Sequence, residues 1–200
     1  MVKYPDRLRK LIELLQELPG IGARSAERMA LHVVQAHESY AKELSECLLQ
    51  ARMSIGFCEI CGAFTESQPC DICNDSSRQQ NVVCVVEKPT DVLTIEKANI
   101  FKGKYHVLNG VLSPLDGIQP EDIRIPELEE RVKKEAINEI IFALGTDTQS
   151  EATIDYIVKR LATYGVQFSK LARGLPAKFR LDYADELTIA SALENRKPIR

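Results

Sequence analysis

Two hundred residues, 44% hydrophobic and 28% charged, have the balance of a globular chain large enough for one domain with a solid core or two small ones. No run is long and apolar enough to span a bilayer, and the start, Met-Val-Lys-Tyr-Pro-Asp-Arg, lacks the apolar core of a signal peptide, so the expected compartment is the cytosol. A net charge of −3 does not mark a basic nucleic-acid binder, but the charge is uneven: residues 120–151 hold nine acids and four bases, and 159–200 hold nine bases and four acids. Between Ser169 and Arg180 lie Lys170, Arg173, Lys178 and Arg180 and no acid. That stretch reads either as a local cationic surface or as a solvated face with counter-charges supplied by the fold.

Three helices are expected first. Asp6 to Leu18 carries Leu8, Leu11, Ile12, Leu15 and Leu18 at helical spacing, with Pro5 at its start. Ala23 to Ala36 places Ala26, Met29, Ala30, Val33 and Val34 inward, and Ser39 to Met53 does the same with Tyr40, Leu44, Cys47, Leu48 and Ala51. Leu18-Pro-Gly-Ile-Gly22 joins the first two as a tight hairpin with Ile21 as an apolar plug. Gly20 and Gly22 are read as allowing backbone angles closed to other residues. Free amides at the start of the second helix make a phosphate site, and Arg24 and Arg28, four apart, share the face beside it. This is a helix-hairpin-helix pattern that grips the DNA backbone with little reading of sequence; the bland alternative is a plain helical turn.

Cys58-Glu-Ile-Cys61 and Cys70-Asp-Ile-Cys73 follow, eight residues apart. Four thiolates in two such pairs complete a tetrahedron around Zn²⁺, and Gly62 relieves the turn after the first. A closed four-sulfur site is a clamp and not a catalyst. The alternatives are two disulfides, disfavoured in a reducing compartment, or four unrelated thiols. Cys47 and Cys84 sit inside apolar patterns and read as buried small hydrophobes.

After a polar linker, Asp75 to Gln80, strands and helices alternate. The expected strands are Val82 to Val86, His106 to Leu108, Glu139 to Leu144 and Val166 to Leu171; the expected helices are Val92 to Ala98, Pro126 to Ala136 and Glu151 to Tyr164. This order implies a parallel sheet covered on both faces, with ligands gathered at the carboxyl ends of the strands. Glu87, Asp147 and Glu151 fall just beyond strand ends. Such acids could hold Mg²⁺, act as helix caps and first-turn charges, or form an acidic face for a protein partner. Against the metal, the run Asp147-Thr-Gln149 lacks the second acid of an Asp-x-Asp pair. No Ser-His-Asp set or phosphate-cradling Gly-Lys-Ser/Thr loop is present, and His32, His37 and His106 read as structural or surface residues.

Taken together, the chain resembles the RecR family of bacterial recombination mediators over essentially its full length. The residues that carry this are Leu18-Pro-Gly-Ile-Gly22 with Ala26 and Arg28, the four cysteines, and Val83-Cys-Val-Val-Glu-Lys-Pro-Thr-Asp91. To them are added Tyr105-His-Val-Leu108, Leu112-Ser-Pro-Leu-Asp-Gly-Ile118, Glu151-Ala-Thr153, Leu171-Ala-Arg-Gly-Leu-Pro176 and Leu181-Asp-Tyr-Ala-Asp185. The resemblance implies an α/β, multi-part chain: a helix-hairpin-helix domain (1–56), a four-cysteine zinc finger (57–75), a Toprim domain (80–175) and a C-terminal oligomerisation segment (176–200). It implies no catalytic activity. It implies action with RecO and RecF to help load RecA onto single-stranded DNA coated by single-strand-binding protein, and an oligomer, a dimer or a tetrameric ring. Residue by residue, Arg24 takes a basic position often occupied by lysine, Arg28 matches an arginine, and both have DNA-contact roles. Cys58, Cys61, Cys70 and Cys73 match the zinc ligands; Glu87 and Glu151 match Toprim acids.

Two segments depart from the family. Thr-Asn-Pro-Thr-Val-Glu-Gly before Glu-Ala-Thr is here Leu144-Gly-Thr-Asp-Thr-Gln-Ser150, so an Asn and a Glu become Gly145 and Gln149. Leu-Pro-Val-Gly-Gly becomes Leu175-Pro-Ala-Lys-Phe179. The reading is a non-catalytic DNA-binding mediator, located in the cytoplasm with the nucleoid, with a structural zinc that fixes the hairpin domain against the sheet. Its rivals are a Mg²⁺-dependent nuclease or nucleotidyl-transfer enzyme using Glu87, Asp147 and Glu151, and a scaffold for RecO or RecF with DNA contact secondary.

Overall fold

The structure is a computed structural model that describes residues 4–172 and 181–196. The chain divides into two compact units, Met1–Ile55 and Gly56–Arg200. The basic stretch Arg173 to Arg180, including the departure at 176–180, lies outside the described residues.

In the first unit, α1 (Asp6–Gln16) packs on α2 (Ala23–Gln35), followed by α3 (Glu38–Ser54). Ala26 and Ala30 are fully buried, small enough to let the α1 leucines Leu8, Leu11 and Leu15 approach. The amphipathic reading overreached beyond this seam. Met29 and Val34 are exposed, and no residue of α3 is buried. Tyr40, Cys47, Leu48 and Ala51 are exposed, and of that face only Leu44 is half-buried. A unit of three short helices has too little interior to cover the apolar stripe of its third.

The second unit opens with an antiparallel hairpin, β1 (Gly56–Phe57) against β2 (Phe64–Thr65), and a single turn, α4 (Asp71–Asn74). Then come β3 (Val82–Val86), α5 (Pro89–Ala98), β4 (Lys104–Val107), α6 (Ile125–Lys134), β5 (Glu139–Ala143), α7 (Thr148–Leu161), β6 (Gln167–Lys170) and α8 (Glu186–Glu194). The four strands form one parallel sheet in the order β4-β3-β5-β6. Helix α5 starts three residues earlier than expected because Pro89 suits the first helical position and the Asp91 carboxylate accepts the Lys88 N–H at 2.8 Å. Strand β4 starts two residues earlier than expected, at a lysine that is only 2% exposed.

Alternation along β3 assigns the two faces. Val83 and Val85 join Leu108, Leu128, Val132, Ile140, Ile157 and Leu161 in the larger core, beneath α6 and α7. Cys84 and Val86 join Tyr105, Val107 and Val92, and this second cluster includes Cys58, Cys61 and Cys70. The cysteine segment therefore is one of the layers covering the sheet. Cys84 is buried as expected, and burial pushes its thiol up to about 12.

His106 sits within this fold with no exposed surface. Its Nε2 lies 2.7 Å from the Arg124 carbonyl oxygen, so Nε2 carries the hydrogen, and its Nδ1 has no hydrogen-bond partner. Burial holds the ring neutral, with a pKa of about 3 against 6.5 ordinarily. Between these values the unfolded chain binds a proton that the folded chain does not, so stability is complete above about 6.5 and falls as the pH drops. We expect this residue to cost about 1 kcal/mol of stability between pH 7.5 and 5.5. Urea unfolding of His106→Gln at both pH values should show a pH dependence weaker by that amount; an unchanged dependence contradicts the assignment.

Candidate metal centre and nucleic-acid interface

Each cysteine pair is shaped by its own backbone. In the first, Cys58 N–H donates to the Ala63 carbonyl and Gly62 N–H to the Cys58 carbonyl, both at 2.8 Å. Gly62 has φ +78°, and a Cβ there would meet the Arg124 guanidinium and, at 3.1 Å, the Val107 side chain. Glycine is needed for the angle, and the Val107 side chain leaves little room besides. In the second, Cys70 caps α4: Cys73 N–H donates to Cys70 Sγ at 3.4 Å, and Cys70 N–H reaches Cys58 Sγ at 3.5 Å. Gln68 links the turns by accepting from Glu59 N–H and donating to the Phe57 carbonyl.

The four Sγ atoms all lie within 4.8 Å of one another, three of the cysteines being buried and Cys73 half-buried. Their thiols perturb each other. Cys61 is drawn down to about 5, chiefly because the Cys73 thiol donates to it. Cys73 is pushed up by holding that thiolate, and Cys70 is pushed up to about 11, first by burial. Four thiolates this close repel one another unless a cation sits among them. Four sulfur donors drawn this close together fit structural Zn²⁺, which takes four such ligands in a tetrahedron.

The cluster is bonded into the edge of the sheet. Val107 N–H donates to the Cys61 carbonyl at 2.7 Å. Lys104 Nζ donates to the carbonyls of Ile72 (2.7 Å), Cys73 (3.0 Å) and Asp75 (2.8 Å), closing the end of α4. Arg124 Nη2 donates to the carbonyls of Glu59 (2.9 Å) and Ile60 (3.3 Å). The supposed linker after the cysteines is pinned as well: Arg78 bonds the Glu96 carboxylate and the Gly103 carbonyl. Sequence reasoning missed Lys104, Arg124 and Arg78. The one available signal was a lysine heading an otherwise apolar and aromatic strand.

The hairpin residues occupy the turn between α1 and α2. Gly20 has φ +78°, as its turn requires, whereas Gly22 has φ −84°, an ordinary extended value. Gly22 is thus not needed for its angle, contrary to the sequence reading. It is the N-cap of α2, and α2 has no side-chain cap, so nothing from that residue covers the first-turn amides. A Cβ at either glycine would meet nothing within 4 Å. Ile21 is half-buried, and its N–H donates to the Leu18 carbonyl at 3.1 Å. Arg24 and Arg28 are exposed one turn apart on α2, and neither pairs with an acid among the described residues.

The three strand-end acids do not assemble. Among the described residues, the only group of three or more histidines, cysteines or acids placed to share an ion is the four cysteines. Glu87 follows β3 and lies 3.3 Å from Lys88. Asp147 caps α7: its carboxylate accepts from Ser150 N–H (2.9 Å) and the Ser150 hydroxyl (2.8 Å), which hold its pKa below the usual range. Glu151 lies in the first turn of α7, 3.3 Å from Lys170. Two substituted positions fit this loop. A Cβ on Gly145 would strike the Asp147 carboxylate at 2.4 Å, and Gln149 donates to the Ser113 hydroxyl at 2.7 Å, joining the loop to Ser113-Pro-Leu-Asp116.

Comparison with known proteins gives matches along most of the chain. Residues 8–52 match the family described as RecR, helix-hairpin-helix, and residues 55–75 match the four-cysteine zinc finger domain of RecR. Residues 81–172 match the Toprim domain, and 181–197 match RecR, C-terminal. The chain is 44% identical over 193 residues to the recombination protein RecR of Desulfatibacillum aliphaticivorans, covering 96% of this chain and 97% of that one. The fold class expected from the sequence is therefore the one found: N-terminal helices, a four-cysteine zinc site and a parallel four-stranded sheet with flanking helices. We expect about one zinc per chain by elemental analysis of reduced protein, and loss of that zinc in Cys61→Ser. A stoichiometric ion retained by the variant would contradict the assignment of the ligands.

Proposed function

Because the chain belongs to the family of the recombination protein RecR, we propose that it is a non-catalytic, DNA-binding mediator of recombinational repair. In this reading it works in the cytoplasm with the nucleoid, and with RecO and RecF helps to load RecA onto single-stranded DNA. The observation that carries the DNA contact is the start of α2. Uncapped first-turn amides, a turn with no side chain at Gly20 or Gly22, and Arg24 and Arg28, exposed cations without an acid partner among the described residues, all belong to the first two turns of α2 and the link before it. Amides and helix dipole favour a phosphate, and the two guanidinium groups add charge-assisted bonds to its neighbours. These contacts address the backbone, so binding carries little sequence preference.

One hairpin touches few phosphates. A homo-oligomer, a dimer or a tetrameric ring, would multiply the grip by effective concentration. The C-terminal segment, in which α8 spans Glu186–Glu194, is the proposed assembly element. The acids Glu87, Asp147 and Glu151 serve in this reading as caps, pairing charges and an acidic face toward a protein partner. Asp147 and Glu151 already have such roles within the fold.

We expect Arg24→Glu with Arg28→Glu to weaken binding to a labelled oligonucleotide at least tenfold. The slope of log affinity against log salt should be shallower by about two phosphate contacts. Both residues are exposed, so the variant folds; unchanged binding contradicts the hairpin assignment. Incubation of DNA with Mg²⁺ or Mn²⁺ should give no cleavage or nucleotide transfer. Turnover that disappears in Glu87→Gln would favour the enzyme instead.

A further inference from the structure

The zinc centre leaves one electrostatic question. Four thiolates and one Zn²⁺ carry a net charge of about −2, and three of the four cysteines are buried. A buried charge of that size is costly unless opposite charge lies close by. Two cations reach the cysteine segment from outside it, one to each pair.

Lys104 is 2% exposed, which is rare for a lysine that makes no ion pair. It forms no ion pair among the described residues. Asp75, in the adjoining turn, gives its carboxylate to Ser77 and Arg78, and Lys104 acts on that carboxylate only through its charge. Lys104 spends its three donors on the carbonyls of Ile72, Cys73 and Asp75. The Ile72 carbonyl and the Cys73 N–H belong to a single peptide group, and that N–H donates to Cys70 Sγ at 3.4 Å. Ammonium, peptide and sulfur therefore form one hydrogen-bonded line. A cation on the oxygen polarises the amide and strengthens its N–H as a donor to the thiolate.

Arg124 is the cation at the first pair. Its guanidinium bonds the Glu59 and Ile60 carbonyls between the two cysteines and occupies the space above Gly62. The acid paired with it, Glu127, is exposed and 3.8 Å away.

We propose that Lys104 and Arg124 are the counter-charges of the zinc centre, positioning residues that act through the backbone of the two cysteine pairs to set how tightly the ion is held. The proposal explains why a lysine with no ion pair is buried at the head of β4. It rests on the four cysteines holding zinc, and the test separates the two claims.

The test uses the full-length, zinc-loaded protein. Zinc affinity is measured by competition with a chromophoric chelator in Lys104→Met, Lys104→Arg, Arg124→Met and Arg124→Lys. Methionine keeps much of the packing and removes the charge. Each methionine variant should lose about 10–100-fold in affinity, and the charge-keeping variants should recover most of it. Space-filling alone would not produce that recovery. The same variants loaded with Co²⁺ give a second readout. Removing a cation from beside a thiolate should move the sulfur-to-cobalt charge-transfer band to longer wavelength. If Lys104→Met does not fold, Arg124→Met, whose side chain reaches solvent, decides the question. Methionine variants with wild-type affinity and an unmoved band overturn the proposal while leaving the zinc centre intact. A wild-type protein without stoichiometric zinc overturns both.

Discussion

The second unit depends on a joint: the edge of β4 and the backbone of the cysteine pairs satisfy each other. Val107 gives its N–H to Cys61, and Lys104, at the other end of the same strand, closes α4. An edge strand exposes a row of unpaired backbone groups, and here a metal-bound segment covers part of that row. The segment has little regular structure of its own, a two-residue hairpin and one helical turn. The ion fixes its shape, and the sheet supplies the donors that its carbonyls need.

This joint gives the zinc a structural task. Cys58, Cys61 and Cys70 share a buried cluster with Cys84, Val86, Tyr105 and Val107, so one face of the sheet is completed by the centre itself. The other face is an ordinary apolar core under α6 and α7. At the carboxyl ends of the strands, Asp147 is held by Ser150 and Glu151 by Lys170, and the acids are spread along the edge without meeting.

Much of this was legible in the sequence for identifiable reasons. Two Cys-x-x-Cys pairs are a local signature, since the geometry they impose lies within each pair. Val82 to Val86 announced a buried strand by composition, and its bounds are those found. Asp147 was open to reading as a cap by its residue type and its place ahead of a helix, although that helix starts at Thr148 and not at the expected Glu151. What was not legible depends on distance along the chain. Lys104 meets Ile72 across 32 residues, and Arg124 meets Glu59 across 65. No periodicity encodes a cation whose partners are main-chain oxygens. The expected burial of Cys47 and Leu48 failed for the opposite reason: helical spacing shows which residues share a face, and not whether anything covers it.

Hydrogen exchange followed by mass spectrometry, on reduced protein with its zinc and after chelation, tests the joint most directly. If the metal centre and the sheet edge are one cooperative element, removing zinc should strip protection from residues 56–75 and from β4 together, with β5 and α7 less affected. Loss of protection in the cysteine segment with β4 unchanged would contradict that account.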